Sequence, residues 1–195
     1  MNKSKISNNN LWDKGRDKAL FAGLKRRDEK AFMKVYERYV DDIYRFIYFK
    51  VGNAEEANDI TSDVFLKTWG HIKNRKLEQT KTLKSFVYTV ARNCVVDHYR
   101  KQPRKQRVDI DGEDSTVDIV DENQNVARQM EIDSDMNIIR DKMKELKEEY
   151  KEVIILRYIN ELSFSEMARI TGRSKNSARV VCHRALKTLK ELMDK

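Results

Sequence analysis

Residues 163–189 read SFSEMARITGRSKNSARVVCHRALKTL, and this stretch predicts two helices joined by a sharp turn. Ser163 and Glu166 form the capping-box pattern that begins a helix, and Gly172 can adopt the left-handed conformation that ends it. Ser174 provides a cap for a second helix shortly afterwards. A small residue four positions before the glycine lets the two helices approach each other, so the spacing predicts a helix-turn-helix.

The second helix of this motif has one apolar and one polar face. Its inward positions repeat at helical spacing and are Ala178, Val181, Cys182, Ala185 and Leu189. Its outward positions are Asn176, Arg179, Val180, His183 and Lys187, with Arg184 at the edge. A basic helix of this kind fits the major groove of DNA, with its first turns at base edges and its later cations at phosphates. Arg157, just upstream, can add a phosphate contact, whereas a merely solvated basic face is the alternative interpretation.

The composition favours a helical protein with a polyanionic partner. The 195 residues include 40 Lys and Arg against 32 Asp and Glu, a net charge of +8. This excess favours nucleic acid or an anionic membrane as partner, without separating the two. Six glycines and one proline leave little material for tight turns. We therefore expect an all-α fold.

Charge is distributed in blocks, and these blocks predict the domain organisation. Ten acidic residues lie between positions 108 and 137, against a single Arg128, and few large apolar residues accompany them. Such a segment reads as a flexible acidic linker, which we place at residues 102–135. Two small helical domains, residues 14–101 and 136–195, flank it.

Both domains carry the helical apolar periodicity that a small core requires. One helix follows a cap at Asp28, a second follows a cap at Asn53, and both are amphipathic. The apolar stripe of a third helix comprises Leu83, Phe86, Val87, Val90, Ala91, Cys94 and Val95. In the C-terminal domain one helical face is predicted to contain Leu146, Tyr150, Val153, Ile154 and Tyr158.

The third helix is also basic, and its sequence FVYTVARNCVVDHYRKQ interleaves aromatic side chains with arginines. Aromatic and cationic side chains together suit unpaired bases, which stack on rings and expose their edges. Taken alone the pattern is equally compatible with core packing and solubility.

The ordered combination of DITSDVFLKTW, FVYTVARNCVVDHYRK, an acidic linker and LKEEYKEVIILRYINELSFSEMARITGRSKNSARVVCHRALKTLKEL resembles a bacterial RNA polymerase sigma factor of the sigma-70 family, extracytoplasmic-function group. This group keeps conserved regions 2 and 4 of the larger sigma factors. The resemblance implies that the region 2 bundle binds the clamp helices of the polymerase largest subunit and captures the melted −10 element. It implies that the region 4 helix-turn-helix lies under the β-subunit flap and reads the −35 element as duplex.

The resemblance also assigns individual residues. The polymerase-binding positions are Asp59, Ser62, Asp63 and Lys67. The −10 positions are Arg92, Asn93, Val96, Asp97 and Arg100, and the loop from Lys76 to Thr82 matches the one that holds a flipped base. The −35 positions are Asn176, Ser177, Arg179, Val180, His183 and Arg184. Promoter DNA, core polymerase and an anti-sigma factor are the expected partners.

Enzymatic and metal-dependent functions find no support in the sequence. No nucleophile with an adjacent base and no phosphate-cradling glycine loop is present, so we expect no enzyme and no cofactor. Cys94 and Cys182 lack the spacing of metal ligands and are predicted to be buried free thiols. No apolar run approaches the ~18 residues of a membrane span, and the N-terminus lacks a signal-peptide pattern. We expect a cytoplasmic protein without direct membrane insertion.

Two other classes of function remain open at this stage. A stand-alone helix-turn-helix regulator would bind duplex operators as a dimer, independently of polymerase. An RNA-binding or adaptor protein would bind single-stranded RNA tightly without polymerase.

Overall fold

The computed structural model describes residues 17, 19–74, 82–101 and 138–194, and within these ranges it is helical and without β-strands. The predicted all-α class is therefore confirmed. The predicted linker at 102–135 and loop positions 76–81 lie outside the described residues. Among the described residues, four helices precede the predicted linker: α1 (19–25), α2 (Glu29–Val51), α3 (Ala54–Lys73) and α4 (Leu83–Lys101). We call them the N-terminal bundle.

The helices that follow form the C-terminal bundle: α5 (138–144), α6 (Glu148–Ile154), a π-helical turn (Ile155–Ile159), α7 (Phe164–Thr171) and α8 (Lys175–Met193). In the N-terminal bundle α3 packs on both α2 and α4, and in the C-terminal bundle α8 packs on α6 and α7.

Local capping signals set the helix boundaries as predicted. The side chain of Asp28 accepts a hydrogen bond from the Lys30 amide, and that of Asn53 accepts one from Glu56. At the start of α7 the reciprocal capping box between Ser163 and Glu166 is complete. These bonds satisfy amides that have no partner within the helix.

Apolar stripes form the core. The stripe predicted for α4 is buried except for Phe86, which is partly buried against the core. All five inward positions predicted on α8 are buried. Tyr158, predicted to share a helical face with Val153 and Ile154, is instead 49% exposed while those two are buried. The π-helical turn at Ile155–Ile159 has a wider turn than an α-helix, so it shifts the later residues away from the face that α-helical spacing predicts.

The two bundles pack directly on each other through α4 with α7 and through α2 with the π-helical turn. The Lys50 ammonium lies 2.9 Å from the Glu148 carboxylate, and the Lys151 ammonium donates to the Lys50 carbonyl at 2.9 Å. The Asn160 side-chain amide donates to the Asp42 carbonyl at 2.8 Å. This arrangement, which we call the closed arrangement, joins the buried residues of both bundles into one cluster.

The charged side chains buried within the described residues all lie at this contact between bundles: Lys50, Lys151 and Glu152. Burying charge costs free energy that a partner must compensate, whereas apolar packing carries no such penalty. Separation of the bundles returns these three charged groups to water, which offsets part of the free energy lost with the apolar packing.

Replacement by alanine is expected to have opposite effects on stability at two glycines. Gly172 has φ +70° at the end of α7, a conformation that strains any residue with a Cβ. Gly70 lies inside α3, and a Cβ there would meet nothing within 4 Å. We expect Gly172→Ala to lower the free energy of unfolding by about 1–2 kcal/mol and Gly70→Ala to raise it by about 0.5–1 kcal/mol. Denaturant unfolding of the two variants measures both, and equal signs would contradict the assignment.

Candidate nucleic-acid interface

The polar face of α8 is presented to solvent. Of the residues predicted to read the −35 element, six are exposed: Asn176, Arg179, Val180, His183, Arg184 and Lys187. Ser177 is half-buried, and its amide donates to the Ser174 hydroxyl at 3.1 Å to cap the helix. The helix therefore offers a continuous basic face with apolar Val180, which is 47% exposed, among the cations.

Arg157, predicted as a phosphate contact, lies beside the recognition helix rather than free in solvent. Its guanidinium donates to the Leu162 carbonyl at 2.9 Å and lies 4.9 Å from the centre of the Phe164 ring. The Arg179 guanidinium lies 5.5 Å from the same ring. One aromatic ring thus contacts two of the predicted DNA-binding arginines.

In the closed arrangement only part of the second predicted interface, on α4, is exposed to solvent. Asn93, Val96 and Arg100 are exposed, whereas Arg92 is half-buried because its guanidinium pairs with the Glu152 carboxylate at 2.7 Å. The remaining predicted member, Asp97, lies 3.5 Å from the Lys67 ammonium. The five predicted residues share one helix, but they are not equally available to a ligand.

Hydrogen bonds hold the end of α4 against α2 and the C-terminal bundle. The Tyr99 hydroxyl donates to the Lys50 carbonyl at 2.9 Å, the same oxygen that accepts from Lys151. Burial, aided by Glu148 and Glu56, raises the pKa of Tyr99 to about 12. Burial also lowers the pKa of Lys151, which Glu148 partly opposes. The sharing of one carbonyl by two donors ties α4, α2 and α6 together.

The predicted polymerase-binding residues form an exposed strip along α3. Asp59, Ser62, Asp63 and Lys67 are all exposed. Leu66 lies on the same strip and is 70% exposed, the highest exposure of a large hydrophobic side chain in the described residues. Leu66 therefore adds apolar surface to the strip that the resemblance assigns to polymerase binding.

Both cysteines are buried and free, as predicted. Burial raises the pKa of each thiol, and the Lys67 ammonium partly opposes this effect at Cys94. The parts of the chain that the structure describes contain no cluster of three or more His, Cys, Asp or Glu that could hold a metal ion. No helix in those parts is both long enough and apolar enough to span a membrane.

A carboxylate links the helix-turn-helix to α4. Burial acts to raise the pKa of Glu166, but hydrogen bonds from Ser163 and the Lys84 ammonium outweigh it, so the pKa lies below its usual value. The Lys84 ammonium of α4 lies 3.6 Å from this carboxylate. The capping box of α7 therefore also takes part in the contact between the bundles.

Three residues that matter at these surfaces were not predicted from the sequence: Glu152, Phe164 and Leu66. Glu152 is a carboxylate at the start of the apolar run EVIIL, and that unusual position is the one signal that could have drawn attention to it. Phe164 follows the apolar periodicity, which does not separate buried positions from those that contact a ligand. Leu66 lies off the buried stripe of α3, and that departure is the signal that could have found it.

Comparisons with known proteins identify two family regions, one in each part of the chain. Family models for sigma-70 region 2 and sigma-70 region 4 match residues 35–105 and 136–189. The chain is 30% identical over 167 residues to the ECF RNA polymerase sigma factor BldN of Streptomyces coelicolor, covering 84% of this chain and 60% of that protein. It is 27% identical over 179 residues to the ECF RNA polymerase sigma factor SigW of Bacillus subtilis, covering 88% and 94%.

Two solved structures share the fold. The structure of CnrH in complex with the cytosolic domain of CnrY has a TM-score of 0.66 at 18% identity, covering 92% of this chain and 97% of CnrH. The sigma factor RpoE in complex with the anti-sigma factor NepR from Bartonella quintana has a TM-score of 0.62 at 20% identity, covering 85% and 98%.

Proposed function

Because the chain belongs to the extracytoplasmic-function group of the sigma-70 family and is a sigma factor, we propose that it directs core RNA polymerase to promoters by recognising their −10 and −35 elements. The N-terminal bundle binds the clamp helices of the largest polymerase subunit through Asp59, Ser62, Asp63 and Lys67. The C-terminal bundle lies under the β-subunit flap. The observation that carries the proposal is the exposed basic face of α8, the second helix of a helix-turn-helix whose turn contains the left-handed Gly172.

The −35 element is read by α8 in the major groove. Arg179 lies in the second turn of the helix, on the face that contains Asn176 and Val180, and its planar guanidinium can make two hydrogen bonds to one guanine. Lys187 lies two turns further along, where a straight helix leaves the groove, so it binds phosphate. Its ammonium is 3.8 Å from the Glu191 carboxylate, and both side chains are well exposed, so this pair costs little to break.

The −10 element is captured as unpaired bases by α4. Val96 and Tyr99 are 42% and 45% exposed, and Asn93 and Arg100 lie beside them. Apolar and aromatic surface next to cations favours stacking of unpaired bases and contact with their phosphates. Arg92 belongs to the same set but is paired with Glu152, so it becomes available only when that pair breaks.

Promoter binding therefore requires the two bundles to separate. In the closed arrangement the face of α8 is exposed while Arg92 is engaged by the C-terminal bundle. Docking of both bundles on polymerase supplies the binding energy for separation. It also fixes the distance between them, which raises the effective concentration of each for its own element.

An anti-sigma factor is the proposed regulatory partner. Two solved structures that share this fold are a complex of CnrH with the cytosolic domain of CnrY and a complex of RpoE with the anti-sigma factor NepR. We place the present chain in the same kind of complex, in the cytoplasm, and assign it no catalytic activity of its own.

Transcription in vitro with core polymerase, on a library with randomised −35 and −10 elements, tests the proposal. Enrichment of defined sequences at both elements is the expected result, together with weak and strongly salt-dependent binding of duplex DNA by the free chain. Tight, sequence-specific operator binding without polymerase would instead favour a stand-alone helix-turn-helix regulator. Tight polymerase-independent binding of single-stranded RNA would favour an RNA-binding protein.

Arg179→Ala and Lys187→Ala are expected to have different effects on promoter choice. Loss of a two-bond arginine–guanine contact removes about 1–3 kcal/mol of discrimination, so Arg179→Ala should relax the preference at one −35 position and leave the −10 preference unchanged. Lys187→Ala should weaken binding to all promoters alike, and it should reduce by about one the number of ions released on binding, which the salt dependence of affinity measures. If the selected −35 sequences from Arg179→Ala holoenzyme match those of the wild type at every position, α8 does not read bases through this residue.

A further inference from the structure

The ring of Phe164 lies between the recognition helix and the π-helical turn, at the first position of α7. The guanidinium carbons of Arg157 and Arg179 lie 4.9 Å and 5.5 Å from its centre. Both distances are within the roughly 6 Å at which a cation is attracted to the face of an aromatic ring. Phe164 itself is half-buried against the core, so its ring is held in place by packing.

The two arginines differ in how they are held. Arg157 is held by two contacts, because its guanidinium also donates a hydrogen bond to the Leu162 carbonyl. Arg179 is exposed, and among the described residues its guanidinium has no carboxylate within ion-pair distance. Contact with the ring therefore restrains a long side chain that would otherwise sample many rotamers.

Restraint of this kind matters for reading a base. Ordering a free arginine on binding costs conformational entropy of about 1–2 kcal/mol, and a side chain that is already ordered avoids part of this cost. A guanidinium held by its face against a ring keeps its N–H edge available for a guanine or a phosphate. Two like charges near one ring repel each other, and an anion between or beside them relieves this repulsion.

We propose that Phe164 is a positioning residue for −35 recognition, which holds Arg179 ready for a base edge and Arg157 ready for a phosphate. This inference rests on the function proposed above. It adds to the recognition helix a residue from the preceding helix that does not itself contact DNA bases. The sequence preference at the position read by Arg179 then depends on the ring of Phe164.

A double-mutant cycle with holoenzyme on a promoter library randomised at the −35 element tests the inference. Phe164→Leu keeps an apolar side chain but removes the ring, and we expect about a two- to tenfold loss of preference at the position that Arg179→Ala relaxes. Phe164→Tyr keeps the ring and should retain the preference. In the Arg179→Ala background, Phe164→Leu should cause no further loss at that position, whereas in the Lys187→Ala background its effect should persist in full.

Each outcome has a separate meaning. An unchanged preference in Phe164→Leu, or an equal loss in the presence and absence of Arg179, overturns the positioning role. Absence of any −35 selection by wild-type holoenzyme overturns the proposed function itself, and the inference with it. Circular dichroism at the assay temperature verifies folding, and Phe164→Met replaces the leucine variant if that one unfolds.

Discussion

Asp63→Arg is expected to abolish binding of the chain to core RNA polymerase while leaving the helical fold intact. Asp63 and Asp59 lie four residues apart on the exposed strip of α3, so both carboxylates face the same partner. Reversing one charge removes an attraction and places a cation against the partner's own positive groups. The expected loss of affinity is on the order of 100-fold or more.

The fold should tolerate this change for local reasons. Asp63 is exposed, and arginine is a better helix former than aspartate. At its i−4 position Asp59 attracts the new guanidinium, and at i+4 Lys67 repels it, so the two effects nearly cancel.

Association with core polymerase is measured by fluorescence anisotropy of the labelled chain, with far-UV circular dichroism as the folding control. Asp141→Arg is the matched control, because it makes the same charge change at a carboxylate that is 63% exposed on α5. Normal helicity with unchanged affinity in Asp63→Arg would place the polymerase interface elsewhere on the chain.

Arg92→Ala is expected to shift the chain from the closed arrangement to one in which the two bundles are separated. The pair is asymmetric: the Glu152 side chain is 8% exposed and that of Arg92 is 40% exposed. Removing the arginine leaves a buried carboxylate without its cation, and separation of the bundles hydrates that carboxylate fully. The expected penalty on the closed arrangement is about 2–3 kcal/mol, roughly a 30- to 150-fold change in the ratio of closed to open chains.

Glu152→Gln should disturb the closed arrangement less, since it leaves the half-exposed Arg92 to be solvated while the neutral amide keeps the shape of the glutamate. It should also free Arg92 for DNA, so the free variant should bind a single-stranded −10 oligonucleotide more tightly than the wild type. The exchanged pair, Arg92→Glu with Glu152→Arg, should recover much of the closed arrangement without recovering −10 binding.

Hydrogen exchange of the backbone amides where α4 and α7 face each other reports the fraction of chains with separated bundles. Small-angle X-ray scattering reports the distance between the bundles. Exchange rates in Arg92→Ala that match those of the wild type would show that this ion pair does not hold the bundles together. Equal rates in the single and exchanged variants would lead to the same conclusion.

The sequence by itself determined the features that depend on residues within one helical turn of each other. The caps at Asp28 and Asn53, the capping box of α7 and the left-handed Gly172 were predicted and are present. The buried stripes of α4 and α8 were also predicted, because helical periodicity alone specifies which side chains share a face. The site residues of α3 followed from the resemblance, whereas most of those on α8 also followed from helical periodicity. All of them are exposed except Ser177, which is half-buried.

Only the tertiary structure decided how the two bundles meet. Arg92 and Glu152 are 60 residues apart, and Lys50 and Glu148 are 98 apart, on opposite sides of the segment predicted as a linker. Charge has no periodicity that assigns one of 32 acidic residues to one of 40 basic residues across such a distance. The pairing depends on the packing of α7 on α4 and of the π-helical turn on α2. That same packing makes Arg92, a predicted −10 residue, a half-buried partner of Glu152.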